Sequence, residues 1–80
     1  MPIDIKIVYC RPCNFLGRAL DLARDILAKY EEARVTLEQG TRGIFDVYIN
    51  GTLKFSRYQL GRFPTSEEVL EEINKLIKAV

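Results

Sequence analysis

Hydrophobic and polar side chains alternate along four short segments of this chain. Alternation with a period of two is typical of a β-strand that has one buried face and one exposed face. The predicted strands lie at 3–9, 34–38, 45–49 and 52–56, and each is rich in β-branched or aromatic side chains. Asn50 and Gly51 separate the last two strands and accept the positive φ angles of a type I′ turn, which predicts a β-hairpin.

Two other segments repeat with the period of an amphipathic helix. From about Asn14, one stripe of a helix of roughly four turns is predicted to comprise Phe15, Leu16, Ala19, Leu20, Ala23, Ile26, Leu27 and Tyr30. Thr65-Ser66-Glu67-Glu68 predicts the start of a second helix, because the side chains of Thr65 and Glu68 can each accept a hydrogen bond from the other's backbone amide. The apolar stripe of this helix is predicted to comprise Val69, Leu70, Ile73, Leu76, Ile77 and Val80.

The predicted order of elements is β-α-β-β-β-α, which indicates an α/β fold with a mixed four-stranded sheet. Because all four strands alternate, the sheet should have one strongly apolar face, and both helices should cover that face as a two-layer sandwich. The first helix is long enough for a right-handed crossover, so the first two strands should be parallel, while the hairpin adds antiparallel strands. Ile44 and Tyr48 should then partly face solvent, which fits scattered surface apolarity better than a partner surface.

Composition and charge narrow the range of functions. Eighty residues, 48% hydrophobic and 29% charged, are enough for one domain, 1–80, and leave no room for a second. Twelve basic and eleven acidic residues are interspersed and give a net charge of +1, so we expect neither a nucleic-acid partner nor a membrane surface. The first residues lack the apolar core of a signal peptide, and no run approaches about 18 apolar residues, so we expect a cytoplasmic protein.

The chemistry is expected in the turn Cys10-Arg11-Pro12-Cys13, between the first predicted strand and the first predicted helix. Unpaired amides and the dipole at a helix start favour a thiolate, and cysteines in such turns can have pKa values of about 3.5–7.5. One thiolate can attack a disulfide, and the second thiol can resolve the mixed disulfide and leave the pair bridged. Pro12 should stiffen the turn at the helix start. Arg11 either supports the thiolate or is a solvated loop cation, and the two interpretations are equally good.

Metal binding and a chemically inert pair are the rival interpretations of these two cysteines. A structural zinc site normally needs four ligands, and the chain has two cysteines and no histidine, so such a site would require a dimer. Copper carriers also place C-x-x-C between a first strand and a helix, but their element order ends in a strand, whereas this one ends in a helix. The lack of histidine also removes the Cys–His nucleophile of a protease. We therefore expect no metal and no organic cofactor.

Four blocks of the sequence resemble the selenoprotein W, T and H (Rdx) family: Val8-Tyr9-Cys10-x-x-Cys13, Gly43-x-Phe45-Asp46-Val47, Asn50-Gly51 and Gly61-x-Phe63-Pro64. The resemblance covers nearly the whole chain. It implies a thioredoxin-like fold and a thiol oxidoreductase or antioxidant role, with protein thiols or glutathione as partners. Cys13 stands where many relatives carry selenocysteine, which implies a cysteine-containing homologue with a slower nucleophile. Some animal relatives have another cysteine near the position of Leu37, so a glutathione adduct there is not carried over.

The resemblance leaves two questions about the site open. Thioredoxin chemistry favours Cys10 as the attacking residue, whereas the selenocysteine position favours Cys13, and we lean towards Cys13. Thioredoxins also place a cis-proline beside the active site before the hairpin, but this chain has no proline between Leu37 and Ile49.

Arg42-Gly43-Ile44 is the segment expected at the place where thioredoxins have the cis-proline. There it could pair with an extended peptide or with glutathione. The alternative, which we favour, is a loop glycine that needs a positive φ angle. Gly61-Arg62-Phe63-Pro64 is expected to turn the chain and fix the second helix rather than to touch substrate.

Three functions are therefore compatible with the sequence. The first is a thiol–disulfide oxidoreductase, the second is a redox-sensitive binding module without turnover, and the third is a metal carrier. A reduction potential near that of thioredoxin or glutaredoxin would favour the first two, and tight stoichiometric binding of Cu(I) or Zn(II) would favour the third. The sequence does not indicate an oligomeric state.

Overall fold

Four strands and three helices form the structure, a computed structural model that describes residues 3–78. In chain order they are β1 (Asp4–Cys10), α1 (Leu16–Lys29), β2 (Arg34–Gly40), β3 (Phe45–Ile49), β4 (Thr52–Ser56), α2 (Arg57–Leu60) and α3 (Ser66–Lys78). All six predicted elements are confirmed, and the four-residue helix α2 is an addition that the sequence patterns did not indicate. Val80, predicted at the end of the second apolar stripe, lies outside the described residues.

The strands form one mixed sheet in the order β2-β1-β3-β4. Strand β1 is parallel to β2 and antiparallel to β3, and β3 is antiparallel to β4, as the crossover and hairpin arguments predicted. Asn50 and Gly51 have φ angles of 51° and 83°, so the predicted turn between β3 and β4 is confirmed. A register shift between Val47 and Tyr48 marks an irregularity opposite β4. This topology, with its helices, is a thioredoxin-like fold.

Helices α1 and α3 cover the same face of the sheet, which confirms the two-layer sandwich. The shared core contains residues from β1 and β3 together with both helices, among them Ile5, Ile7, Tyr9, Phe45, Val47, Ala19, Leu22, Ile26, Val69 and Ile73. Fully burying a large aliphatic or aromatic side chain contributes about 1.5–3 kcal/mol, so this face supplies most of the stability. No helix within residues 3–78 is long and apolar enough to cross a membrane.

Helix α1 buries an apolar face that is rotated relative to the predicted stripe. Leu22, which was not assigned to the stripe, is only 4% exposed, whereas Leu20 and Leu27, which were, are 51% and 39% exposed. Neighbouring residues on a helix lie about 100° apart, so Leu20 and Leu27 sit beside the buried Ala19 and Ile26 but turn away from the sheet.

The predicted start of α3 is confirmed in detail. The amide of Glu68 donates to the Thr65 hydroxyl at 3.2 Å, and the amide of Thr65 donates to Glu68 Oε1 at 2.9 Å. Ser66 Oγ also donates to Asp25 Oδ2 at 2.5 Å, which ties the start of α3 to the middle of α1. These contacts fix the position of α3 relative to α1 near one end of the sheet.

The second face of the sheet is also closed at one end, which corrects the expectation of a single buried face. Val8, Asp46 and Ser56 lie opposite one another across β1, β3 and β4, and all three are buried. Ile44 and Tyr48 are half-buried, as expected. This end of the sheet is the one at which β1 reaches Cys10. Both faces of the sheet are therefore buried beside the cysteine turn.

Candidate redox site

A disulfide joins Cys10, the last residue of β1, to Cys13 in the following turn, and their Cα atoms lie 5.3 Å apart. Helix α1 begins at Leu16 rather than at about Asn14, because Asn14 adopts a left-handed φ angle of 63°. Cys13 therefore lies three residues before the helix and does not open it. Since the helix dipole acts mainly within the first turn, it favours a Cys13 thiolate less than the sequence implied.

Backbone hydrogen bonds hold this turn against the neighbouring strands. The amide of Cys10 donates to the carbonyl of Ile44 at 2.8 Å, and the amide of Arg11 donates to that of Gly40 at 3.1 Å. On the helix side, the amide of Phe15 donates to the carbonyl of Cys10 at 3.2 Å. The turn is thus anchored at both ends, and the cysteines are presented by a fixed backbone.

The two sulfur-bearing residues differ sharply in their access to solvent. Cys10 is 0% exposed, whereas Arg11, Pro12 and Cys13 are all exposed. Pro12 lies in the turn itself and not in the first turn of the helix, which corrects its predicted place. Arg11 makes no ion pair within the described part of the chain. An incoming reactant can therefore reach Cys13 without any rearrangement, but not Cys10.

The segment Arg42-Gly43-Ile44 lies beside Cys10 through the bond to the Ile44 carbonyl. Arg42 and Gly43 have φ angles of 60° and 74°, so the favoured interpretation of Gly43 as a positive-φ glycine is confirmed. The carbonyl of Gly43 accepts a hydrogen bond from Arg57 Nη1 at 3.3 Å, and that of Arg42 accepts one from the Tyr58 hydroxyl. Two of the carbonyls that a partner backbone could use are therefore already occupied, and pairing with a peptide or glutathione stays a prediction.

An aromatic cluster behind the cysteine turn was not assigned a role from the sequence. The rings of Phe15 and Phe63 meet edge to face with centroids 4.8 Å apart, and those of Phe45 and Phe63 do so at 5.2 Å. Arg18 and Arg57 lie with their guanidinium carbons 3.9 Å and 5.4 Å from the centroid of the Phe63 ring. We call these five residues the Phe63 cluster. The only sequence signal was Gly61-x-Phe63-Pro64, which was expected merely to fix the second helix.

A cavity of about 270 Å³ opens beside the Phe63 cluster, between α1 and the start of α3. Its lining combines apolar, hydroxyl and charged side chains, namely Arg18, Asp21, Leu22, Phe45, Phe63, Pro64, Thr65 and Ser66. A concave surface with a few convergent polar groups is the usual form of a small-ligand site. The cavity is thus connected to the cysteine turn through Phe15, which packs on its lining residue Phe63, and its side chains are suited to recognition.

Asp46 is a second feature that the sequence patterns did not single out as functional. It is 8% exposed, and within the described residues its Oδ1 accepts no hydrogen bond. Its strand neighbours Phe45 and Val47 are apolar and buried. An aspartate between two apolar strand residues was therefore the feature of the sequence that could have indicated this site. Within residues 3–78 no group of three or more Cys, Asp or Glu residues could hold a metal ion.

Comparisons with known proteins agree with this geometry. Residues 4–75 match the model of the Rdx family. The migration and invasion enhancer 1 proteins of Mus musculus and Bos taurus are each 33% identical to this chain over 73 residues, or 91% of the chain. The chain spans 64% of the length of these two relatives.

Two solved structures share the whole fold. A selenoprotein W-related protein from Vibrio cholerae has a TM-score of 0.90 at 33% identity, covering 96% of this chain and 99% of that protein. A protein from Bordetella parapertussis has a TM-score of 0.87 at 30% identity, covering 94% and 98% of the two chains. From the family match, these likenesses and the Cys10–Cys13 disulfide, we conclude that the chain belongs to the Rdx family.

Proposed function

We propose that this chain is a thiol–disulfide oxidoreductase, or an antioxidant redox protein, that cycles Cys10 and Cys13 between dithiol and disulfide. The proposal rests on one observation above all: the disulfide joins a fully buried residue to an exposed one. Such an arrangement supports a division of roles in which one sulfur attacks and the other resolves. We place the reaction in the cytoplasm, where a reducing thiol pool makes a short C-x-x-C loop more useful for redox exchange than for structural bridging.

In the reductive half of the cycle, a substrate thiolate attacks Sγ of Cys13, the exposed residue of the pair. A bond forms between that sulfur and the substrate sulfur, the Cys10–Cys13 bond breaks, and Cys10 leaves as a thiolate that takes a proton from water. A second thiolate then attacks the substrate sulfur of the mixed disulfide and releases Cys13 as a thiolate. Two electrons have passed to the protein, and the two substrate thiols have become one disulfide.

The oxidative half runs in the opposite direction through the same mixed disulfide. The Cys13 thiolate attacks a substrate disulfide and releases one substrate thiolate, and the Cys10 thiolate then attacks Cys13 Sγ and releases the second. Cys10 suits this resolving role because it is buried beside its partner and held by the bond from its amide to Ile44. Protein thiols and glutathione are the proposed partners, and the exchange needs neither a metal nor an organic cofactor.

A redox titration in glutathione buffers tests the proposal. We expect reversible interconversion of the pair at a potential of roughly −180 to −270 mV, the range between protein disulfide isomerase and thioredoxin. Cys10→Ser is the control, because it keeps the exposed thiol but cannot form the intramolecular bond. A pair that never forms the disulfide, or that resists reduction throughout that range, would remove both catalysis and sensing.

A redox-sensitive binding module is the second candidate, and the anchoring of the turn favours it. Opening the disulfide removes one restraint from a turn that is also bonded to Gly40 and Ile44, and the neighbouring carbonyls at Arg42 and Gly43 are bonded to α2. Oxidation could therefore alter a surface that another protein recognises. Counting turnovers separates the two candidates: an oxidoreductase reduces many equivalents of a disulfide substrate, whereas a module reacts once per chain.

A further inference from the structure

Two arginines that pack around Phe63, next to the cysteine turn, have no anionic partner among residues 3–78. Within residues 3–78, neither Arg18 nor Arg57 takes part in an ion pair, whereas Arg24 and Arg62 both do. The net charge of +1 for the whole chain does not reveal where these two cations lie. A guanidinium group that has no ion pair and lies near a reactive sulfur can bind a negatively charged group of a substrate.

The Phe63 cluster fixes the position of both guanidinium groups. Each lies over the face of the Phe63 ring, and that of Arg57 also lies 5.5 Å from the centroid of Phe15 and donates to the carbonyl of Gly43. A guanidinium that stacks on a ring by its flat face keeps N–H groups free along its edge. These contacts restrain both guanidinium groups, and because Arg57 Nη1 already donates to the Gly43 carbonyl, its other N–H groups are the ones left for a ligand.

The reactive cysteine lies within reach of this arrangement. Phe15 follows Cys13 by two residues, so their Cα atoms can be separated by at most about 7 Å. Phe15 packs directly on Phe63, whose ring carries Arg18 on the rim of the 270 Å³ cavity. A short peptide joined to Cys13 can thus extend towards the Phe63 cluster.

Arg18 lines the cavity, Arg57 is not among its lining residues, and three carboxylates near the cavity already have partners. Asp21 also lines the cavity, but its Oδ1 lies 3.4 Å from Arg24 Nη2. Asp25 accepts the hydrogen bond from Ser66, and Glu68 is paired with Arg62 at 2.8 Å. The volume is below the roughly 300–1,000 Å³ of drug-sized pockets, so it suits a single side chain or a carboxylate group better than a large molecule.

We propose that Arg18 and Arg57 bind a carboxylate of the thiol substrate, so that the protein selects thiols and disulfides that carry negative charge close to the sulfur. This inference rests on the proposed function and adds to it the chemical class of the substrate. The exchange reaction itself is unchanged: the carboxylate holds the substrate while its sulfur forms the bond to Cys13. The shared chemistry of such substrates is a cysteine flanked by carboxylates, either in glutathione or in an acidic protein segment.

The test compares thiols that differ only in charge. The oxidised protein is mixed with the capped peptide Gly-Glu-Cys-Glu-Gly or with its Gln-Cys-Gln counterpart, and rates are expressed per concentration of thiolate. We expect the acidic peptide to react about fivefold faster, a factor in keeping with one partly exposed charge-assisted contact. Glutathione and its dimethyl ester form a second pair, which separates a tripeptide substrate from a protein segment as the preferred source of the carboxylate.

Arg18→Gln and Arg57→Gln should each reduce this charge preference to about twofold or less, because each removes one guanidinium. Arg34→Gln is the matched control: it removes the same charge at the start of β2, the end of the strand remote from Gly40 and the cysteine turn. It should keep the fivefold preference. An equal loss of rate with the acidic and the neutral peptide would overturn the proposal, since it would show that both arginines affect the structure and not the recognition of charge.

A measurement without redox chemistry separates this inference from the proposed function. Peptides with serine in place of cysteine are added to the oxidised protein, and the side-chain Nε–H signals of Arg18 and Arg57 are followed by NMR. We expect shifts with the acidic peptide and none with the neutral one. Such binding without any thiol exchange would refute the oxidoreductase proposal alone, whereas unchanged arginine signals would refute carboxylate recognition.

Discussion

Cys10 is wholly buried, although the disulfide joins it to Cys13, which is exposed to solvent. The asymmetry arises from the elements that carry the two residues. Cys10 ends a central strand, and its amide is bonded to the carbonyl of Ile44, whereas Cys13 belongs to a turn that projects beyond the sheet. Exposure, more than a helix dipole, therefore distinguishes the two sulfurs in this chain.

This asymmetry predicts unequal alkylation of the reduced protein. Iodoacetamide should modify Cys13 in the Cys10→Ser variant at least about ten times faster than it modifies Cys10 in the Cys13→Ser variant, because a buried thiol must await local opening. Mass spectrometry over time measures both rates. In urea the two rates should converge, which controls for differences in intrinsic reactivity. Equal rates in the native state would contradict the assignment of Cys13 as the attacking residue.

The fold was predictable because each of its signals is local. Alternation identified all four strands, Asn50-Gly51 identified the hairpin, and the Thr65–Glu68 pair identified the start of α3. A period of two or of 3.6 requires no knowledge of what the element packs against. The parallel pairing of β1 with β2 followed from the length of the helix between them.

The site was only partly predictable because its parts are distant in sequence. The cysteine pair was evident from the sequence. Arg57 and Phe63 are six residues apart, but Arg18, which contacts the same ring, precedes both by 39 or more residues. No local sequence pattern indicates this contact. The start of α1 was misplaced for a local reason, since Asn14 adopts a left-handed conformation that hydrophobic spacing does not reveal. Burial within α1 likewise depended on the direction in which the helix docks.

Gly40 should be intolerant of a methyl group. A Cβ atom there would lie 2.7 Å from Ile44 Cγ2 and 3.2 Å from Val8 Cγ1, beside the carbonyl that anchors Arg11. We expect Gly40→Ala to lower the free energy of unfolding by about 1–3 kcal/mol, as overpacking usually does, in urea titrations followed by circular dichroism.

Gly17→Ala is the matched control for this substitution, because a Cβ atom at Gly17 meets nothing within 4 Å. Gly17 lies inside α1, where alanine is the better helix former by about 0.5–1 kcal/mol, so this variant should be neutral or slightly more stable. A stability loss of similar size at both positions would contradict the steric explanation.

Phe63 should contribute to stability as well as to the site. Its ring meets those of Phe15 and Phe45 edge to face, so removal leaves a gap between α1, β3 and the start of α3. Because the side chain is half-buried, we expect Phe63→Ala to cost about 2–3 kcal/mol, somewhat less than a fully buried phenylalanine. Leu60→Ala, three residues earlier and exposed, should cost less than about 1 kcal/mol. Thermal and urea unfolding measure both variants, and equal losses would show that the ring contacts add nothing.

Glu68 predicts a specific dependence of stability on pH. Arg62 donates hydrogen bonds to both of its carboxylate oxygens at 2.8 Å, and the backbone amide of Thr65 donates a third at 2.9 Å. These contacts, with Arg62 the larger cause, lower the pKa of Glu68 from 4.5 to about 2. Since the folded protein favours the ionised carboxylate, this contribution to stability is complete above pH 4.5 and is lost as the pH falls towards 2.

Urea unfolding of the wild type and of Glu68→Gln between pH 7 and pH 2 measures this contribution. The difference in free energy of unfolding should stay constant down to about pH 5, then shrink, and level off near pH 2, where the wild-type carboxyl is largely protonated in both states. Arg62→Gln tests the cause, because it removes the larger contact but keeps the Thr65 amide, so its stability should fall less steeply over the same interval. A difference between wild type and Glu68→Gln that grew as the pH fell would have the wrong sign and would exclude the Arg62–Glu68 pair as a stabilising feature of the start of α3.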